Sequence, residues 1–130
     1  MPKGQLSERV LAEHTKAAFD ALYYNYKRTA RIREYAFTLT KEEFLELTKS
    51  DCFYCGTEPK QYKSKYGNKS RKGIPFVYNG IDRVDNSVGY EYANCVPCCK
   101  TCNRMKGCLG FNEFTKKIKE IVDNLCLLLR

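Results

Sequence analysis

The chain of 130 residues holds one histidine, His14, and no long apolar run; its tightest apolar cluster spans only Leu125 to Leu129. Glycine and proline are missing from Gln5 through Cys55, and acidic residues are few, 15 against 23 Lys and Arg. Each shortage excludes something. Without some twenty consecutive apolar residues no segment is expected to span a membrane. The opening MPKGQLSERV lacks the apolar centre of a secretory signal, so a reducing, cytoplasmic compartment is expected. A lone histidine far upstream of the cysteines gives a Cys-His metal site no second ligand type near at hand. The shortage of acid leaves a formal charge of +8, which favours a polyanionic partner.

The first stretch without helix breakers predicts a long helix over about 7–33, with Ser7 as its cap and Val10, Leu11, Ala17, Ala18, Ala21 and Leu22 at near-helical spacing. Its second half interleaves Tyr23, Tyr24 and Tyr26 with Lys27, Arg28, Arg31 and Arg33. Long cationic arms beside planar rings suit a phosphate backbone, and Lys27, Arg28 and Arg31 are candidate nucleic-acid contacts. Thr40 and Glu43 have the spacing of a capping box before a short helix to about Lys49. Residues 56–75 then carry six cations against Glu58 alone, and Arg71 and Lys72 are further candidate contacts. Phe76 to Tyr78, a turn or bulge at Asn79-Gly80, Ile81 to Val84 and a segment near Tyr92 to Val96 read as extended; Cys99 to Lys106 reads as a helix stopped by Gly107. Asn112 is the expected cap of a final amphipathic helix bearing Phe114, Ile118, Ile121, Val122 and Leu125.

Eight cysteines in a reducing compartment are better read as metal ligands than as disulfides. Cys52-Phe53-Tyr54-Cys55-Gly56 is a knuckle whose two thiolates can reach one ion, with a glycine to turn the chain. A structural zinc needs four ligands, and two overlapping pairs compete to complete it, Cys95 with Cys98 and Cys99 with Cys102. The second is favoured, because Cys99 stands at a strand-to-helix junction where backbone N–H groups stabilise a thiolate. Cys95, Cys98, Cys108 and Cys126 are then expected to be small buried side chains.

Forty-three residues, positions 56 to 98, separate the knuckles, far more than a zinc hairpin needs. They include GIDRVDNSVGYEYANCVPC, followed by CKTCNRMKG. In the order and spacing of Asp-Arg, Gly-Tyr, Asn and Cys-Asn-Arg, the region from Cys52 to Gly107 resembles the HNH (ββα-metal, His-Me finger) endonucleases, in particular the branch stapled by a Cys-x-x-Cys pair on each side. The resemblance implies Asp82 and Asn103 as ligands of a catalytic Mg²⁺ or Mn²⁺, and Asn94 as the residue that pins the hairpin loop. It also implies hydrolysis of DNA to 5′-phosphate and 3′-hydroxyl ends.

Arg83 departs from the pattern, standing where most members carry the histidine that deprotonates water. A guanidinium stays protonated but can clamp the scissile phosphate. The general base is left among Tyr78, Tyr90, Asp85 and metal-bound hydroxide. Arg104 and Lys106, on the same short helix as Asn103, are expected to grip flanking phosphates.

The expected fold is α+β: a ββα-metal core stapled by a Cys₄ zinc, with a long N-terminal helix and a C-terminal helix packed behind. One domain over 1–130 is expected, with a helical region 1–50, a zinc-bound core 51–108 and a final helix 109–130. The expected activity is Mg²⁺-dependent DNA cleavage, with RNA left open as substrate; cutting both strands would call for a homodimer. The rival reading is a zinc-stabilised nucleic-acid-binding module that does not cut.

Overall fold

A computed structural model describes residues 8–63 and 76–129, with the side chains of the first helix described from Thr15 onward. Ser7, Arg71 and Lys72 lie outside the described residues, as does the side chain of His14.

Helix α1 (Glu8–Ile32) is the uninterrupted helix expected where glycine and proline are missing. It ends in a left-handed turn at Glu34, φ 61°, where Tyr35 N–H donates to Ala30 O at 2.8 Å and Glu34 N–H to Arg31 O at 3.1 Å. These two bonds satisfy the last carbonyls of the helix and swing the chain back beside it. The capping box forms as read: Glu43 N–H donates to Thr40 Oγ1 and Thr40 N–H to Glu43 Oε1, opening α2 (Lys41–Lys49).

The strands differ from expectation in detail. Two short antiparallel sheets form, β1 (Gln61–Lys63) with β2 (Phe76–Tyr78), and β3 (Gly80–Arg83) with β4 (Cys95–Cys98). Strand β1 falls in the stretch read as basic loop, because Gln-Tyr-Lys has no apolar alternation to betray it. Residues 92–94 form a 3₁₀ turn, so the return strand starts at Cys95, three residues later than expected. Between β2 and β3, buried Asn79 donates its side-chain amide to Ser50 O and Thr57 O, which fixes the break between the sheets. Helix α3 (Lys100–Lys106), capped by Cys99, follows β4 directly and completes a strand–strand–helix unit.

An aromatic core holds this unit against the long helix. Phe44 packs 5.8 Å from Phe19 and 5.3 Å from both Tyr23 and Tyr26, and Leu22, Phe76 and Ile81 close around it. Rings at these separations and tilts gain quadrupolar attraction beyond their buried area. Two of the three tyrosines of the α1 cluster therefore serve the core, while Tyr24 is exposed.

Helix α4 (Phe111–Leu128) starts two residues earlier than expected, capped by Gly110 rather than Asn112. Its amphipathic period is present, yet only Phe114 is buried; Ile121, Val122 and Leu125 remain 43–51% exposed. The packing expected of this helix is seen in its first turn, where Phe111 and Phe114 meet the rings of Phe53 and Tyr54. Cys108 and Cys126 are likewise exposed rather than buried, since one follows α3 and the other lies on the projecting part of α4. No described helix is long and apolar enough to cross a membrane.

Candidate metal centre and active site

The ligand sulfurs of Cys52, Cys55, Cys99 and Cys102 lie within 4.8 Å of one another. Local backbone geometry builds this cluster. Gly56, at φ 79°, lets its N–H return to Cys52 O at 2.8 Å, and Phe53 N–H reaches Pro97 O at 2.8 Å, which binds the first knuckle to β4. Cys99 caps α3 and its sulfur accepts from Cys102 N–H at 3.4 Å; Cys52 Sγ accepts from Cys99 N–H at 3.3 Å. Burial pushes the Cys52 thiol up, but N–H groups of Cys55, Cys99 and Tyr54 outweigh it and bring it down to about 6. Four thiolates bonded tetrahedrally at about 2.3 Å would stand about 3.8 Å apart. Cys55 and Cys99 are separated by 3.7 Å, so the donor set fits such an ion. Of the competing pair, Cys95 belongs to the aromatic core and Cys98 packs against Cys52 and Cys102 without joining the four-sulfur group; both are buried, and desolvation pushes each thiol up to about 12.

Beside the cluster, Asp82, Arg83 and Asn103 line one polar cavity of about 400 Å³, with Arg33, Lys63 and Tyr90 on its walls. Strand alternation explains how neighbours in sequence serve different surroundings. Ile81 enters the aromatic core, while the Asp82 carboxylate is buried on the α3 side. Tyr54 donates its hydroxyl to Asp82 Oδ2 at 2.6 Å, and Lys106 Nζ lies 3.3 Å from Oδ2 and 3.4 Å from Oδ1. Burial, then the bond to Asp82, push the Tyr54 hydroxyl far above the ordinary tyrosine range, so it acts as a proton donor.

This corrects the expected role of Lys106. It is 1% exposed and also donates to Arg83 O at 3.4 Å, so it is a buried counter-charge and not a surface phosphate contact. Tyr54 was missed as a site residue, and the role of Lys106 was misassigned, because the value of each depends on Asp82, 28 and 24 positions away in the chain. Only the position of Tyr54 inside the knuckle, between two metal-ligand candidates, hinted at it.

Arg83 is anchored. Its Nη1 donates to Asn86 O at 2.8 Å and Val88 O at 2.9 Å, and its guanidinium carbon lies 3.6 Å from the Tyr35 ring centroid. Asn94 bonds the same loop that anchors Arg83. Its amide donates to Asp85 O, Val88 O and Gly89 O at 3.0–3.2 Å, and its Oδ1 accepts from Asp85 N–H at 2.9 Å. Val88 O is therefore shared by Arg83 and Asn94. Asn103 stands exposed on α3, one residue beyond the candidate ligand Cys102.

Of the groups considered as general base, Tyr78 and Tyr90 are pushed up by burial and stay protonated at neutral pH. Asp85 is exposed and held below the usual carboxylate range by hydrogen bonds from Ser87.

The proposed nucleic-acid contacts are not all gathered at this cavity. On α1 the cavity takes Asn25, Tyr26 and Thr29, whereas Lys27, Arg28 and Arg31 line a separate depression. Residues two apart on a helix point about 200° from each other, which puts the two sets on nearly opposite sides. Arg104 is exposed on α3. Arg33, from the basic half of the first helix, and Lys63, from the basic stretch 56–75, are the described cations that reach the cavity wall besides Arg83.

No protein-family model matches the chain. Over 92 residues it is 41% identical to "Uncharacterized protein R423" of Acanthamoeba polyphaga mimivirus; the match covers 71% of this chain and 14% of that protein, so the chain spans a small part of its relative's length. Among solved structures it is similar to the rare-cutting HNH restriction endonuclease PacI, with a TM-score of 0.55 and 23% identity over 82% of this chain and 78% of that one. The likeness shows an α+β fold of the HNH endonuclease type.

Proposed function

We propose that this chain is an HNH-type endonuclease that hydrolyses DNA phosphodiesters with Mg²⁺ or Mn²⁺, built around a structural zinc held by Cys52, Cys55, Cys99 and Cys102. One observation carries the reading: Asp82, Arg83 and Asn103 line a single polar cavity beside the sulfur cluster. The solved protein of similar fold is a restriction endonuclease that perturbs DNA, which supports DNA as the substrate.

A hard divalent cation would be held by Asp82 and the Asn103 amide oxygen, and when bound it supplies Lewis acidity at the scissile phosphate. The donors suit it: both are oxygens, and Asp82 Oδ1 meets only Lys106, at 3.4 Å, among the described residues. Arg83, tethered through Nη1, offers its remaining N–H groups to a phosphate oxygen. Asn94 acts through Arg83, because both bind Val88 O. Tyr54 and Lys106 hold the Asp82 carboxylate in place.

Supercoiled plasmid incubated with Mg²⁺ or Mn²⁺ should be nicked or linearised, and the activity should need the ion. Asn103→Ala should reduce cutting strongly while leaving zinc content and thermal stability unchanged, since the side chain is exposed. Asp82→Asn should also reduce cutting strongly with zinc content retained, but at a cost in thermal stability, because it leaves the buried Lys106 ammonium without its counter-charge. Full activity in both variants would refute the assignment. The alternative, a module that binds without cutting, is favoured by the buried Lys106 ammonium that already neutralises Asp82. It predicts salt-sensitive DNA retardation with no cleavage under any divalent ion.

A further inference from the structure

The depression on the far side of α1 is lined by Tyr24, Lys27, Arg28, Arg31, Tyr35 and Phe37 and encloses about 510 Å³. Three of its six lining residues are aromatic and the other three are cations; none is acidic. Tyr24 is 54% exposed, and its ring meets the Lys41 ammonium at 5.0 Å and the edge of Tyr23 at 5.3 Å. Tyr35 belongs to two places at once, lining this depression while the Arg83 guanidinium lies 3.6 Å from its ring centroid. The turn at Glu34 makes this possible by folding Tyr35 back against the helix end.

We propose that this depression is a second nucleic-acid site that takes an unpaired nucleotide, with the base stacked on the Tyr24 and Tyr35 rings and the phosphates on Lys27, Arg28 and Arg31. Lysines and arginines alone would serve a duplex backbone as well; the rings are what select an unpaired base, because bases stacked within a duplex have no free face to offer. Arg83 ties the site to the cavity, so a strand seated there continues past Tyr35 toward the cleft. The inference takes its partner class from the nuclease reading but needs no chemistry from it.

The test is fluorescence anisotropy without divalent ions, using labelled oligothymidylate, oligouridylate of equal length and a duplex of equal length. Tyr24→Ala should weaken binding of the single strand by roughly 5- to 150-fold, the range expected for one stacked base, and Tyr24→Phe should restore it. Whichever single strand shows the loss is the kind the site takes. Arg28→Ala should lower the slope of log affinity against log salt by about 0.7 for a single strand. Photocrosslinking of 5-iodouracil-substituted oligonucleotide to the unmutated protein should label Tyr24 or Tyr35, a readout independent of any variant's folding. Unchanged single-strand affinity in Tyr24→Ala, an equal loss on the duplex, or crosslinks confined to other residues would each overturn the proposal. If plasmid is not cut while the Tyr24 effect stands, the nuclease reading fails and this one holds; cutting without a Tyr24 effect gives the reverse.

Discussion

Replacing Lys106 with methionine tests how the candidate active site is held together. The ammonium is 1% exposed, lies 3.3 Å from a carboxylate that is 9% exposed, and also donates to Arg83 O. Methionine fills much of the same space, so the change removes charge and hydrogen bonding with little cavity. It leaves Asp82 buried with the Tyr54 hydroxyl as its remaining donor among the described residues. Taking one partner from a buried ion pair costs about 3–5 kcal/mol, against a total stability of about 5–15 kcal/mol for a domain. For a chain of this size that corresponds to a fall in Tm of about 10–20 °C. The assay is thermal unfolding at fixed, saturating zinc, because a bound ion adds its own concentration-dependent stability. Adding Asp82→Asn in the same molecule removes the stranded charge and keeps the bond from Tyr54, so the double variant should regain most of the loss. A single variant within about 3 °C of the parent, or a double variant no better than the single, would refute the reasoning. Lys106 would then be reaching water along its four-carbon stem.

Three further outcomes follow from the same geometry. Asn94→Ala removes four hydrogen bonds that hold the loop from Asp85 to Gly89, and should cost about 2–4 kcal/mol in urea unfolding. It should also depress cleavage beyond what the lost stability explains, since Val88 O then no longer holds Arg83 firmly. In the zinc-loaded protein at about pH 8, a thiol alkylating reagent should label exposed Cys108 and Cys126 and spare Cys95 and Cys98. Desolvation raises the latter two from 9.0 to about 12, so the folded state keeps protons that the unfolded chain releases. Their contribution is complete below about pH 9 and is lost as pH rises toward 12, which an unfolding series on the alkaline side would reveal as falling stability.

How much of this was legible in advance depended on the range over which each signal acts. The long first helix, the Thr40–Glu43 box, the knuckle and the helix starting after Cys99 are governed by neighbours within four residues, and all appear where local pattern put them. The choice of Cys99 and Cys102 over Cys95 and Cys98 was also local, since it rested on helix-cap N–H groups. Strand β1 was not legible, because three residues with no alternation become a strand only when Phe76 to Tyr78 arrive beside them. How much of α4 is covered was not legible for the opposite reason: amphipathic spacing states which face is apolar, not whether anything covers it.

The sequence alone thus determined the helices and the grouping of four cysteines as candidate metal ligands, since these follow from periodicity, capping and ligand spacing along the chain. Tertiary structure decided which residues meet. Sheet register turned Asp82 toward Tyr54 and Lys106, and the end of α1 brought Tyr35 onto Arg83. It also sent Lys27, Arg28 and Arg31 to the side of α1 away from the cavity. The physical reason is that charge pairing and ring stacking depend on distance in space, and a sequence records only distance along the chain.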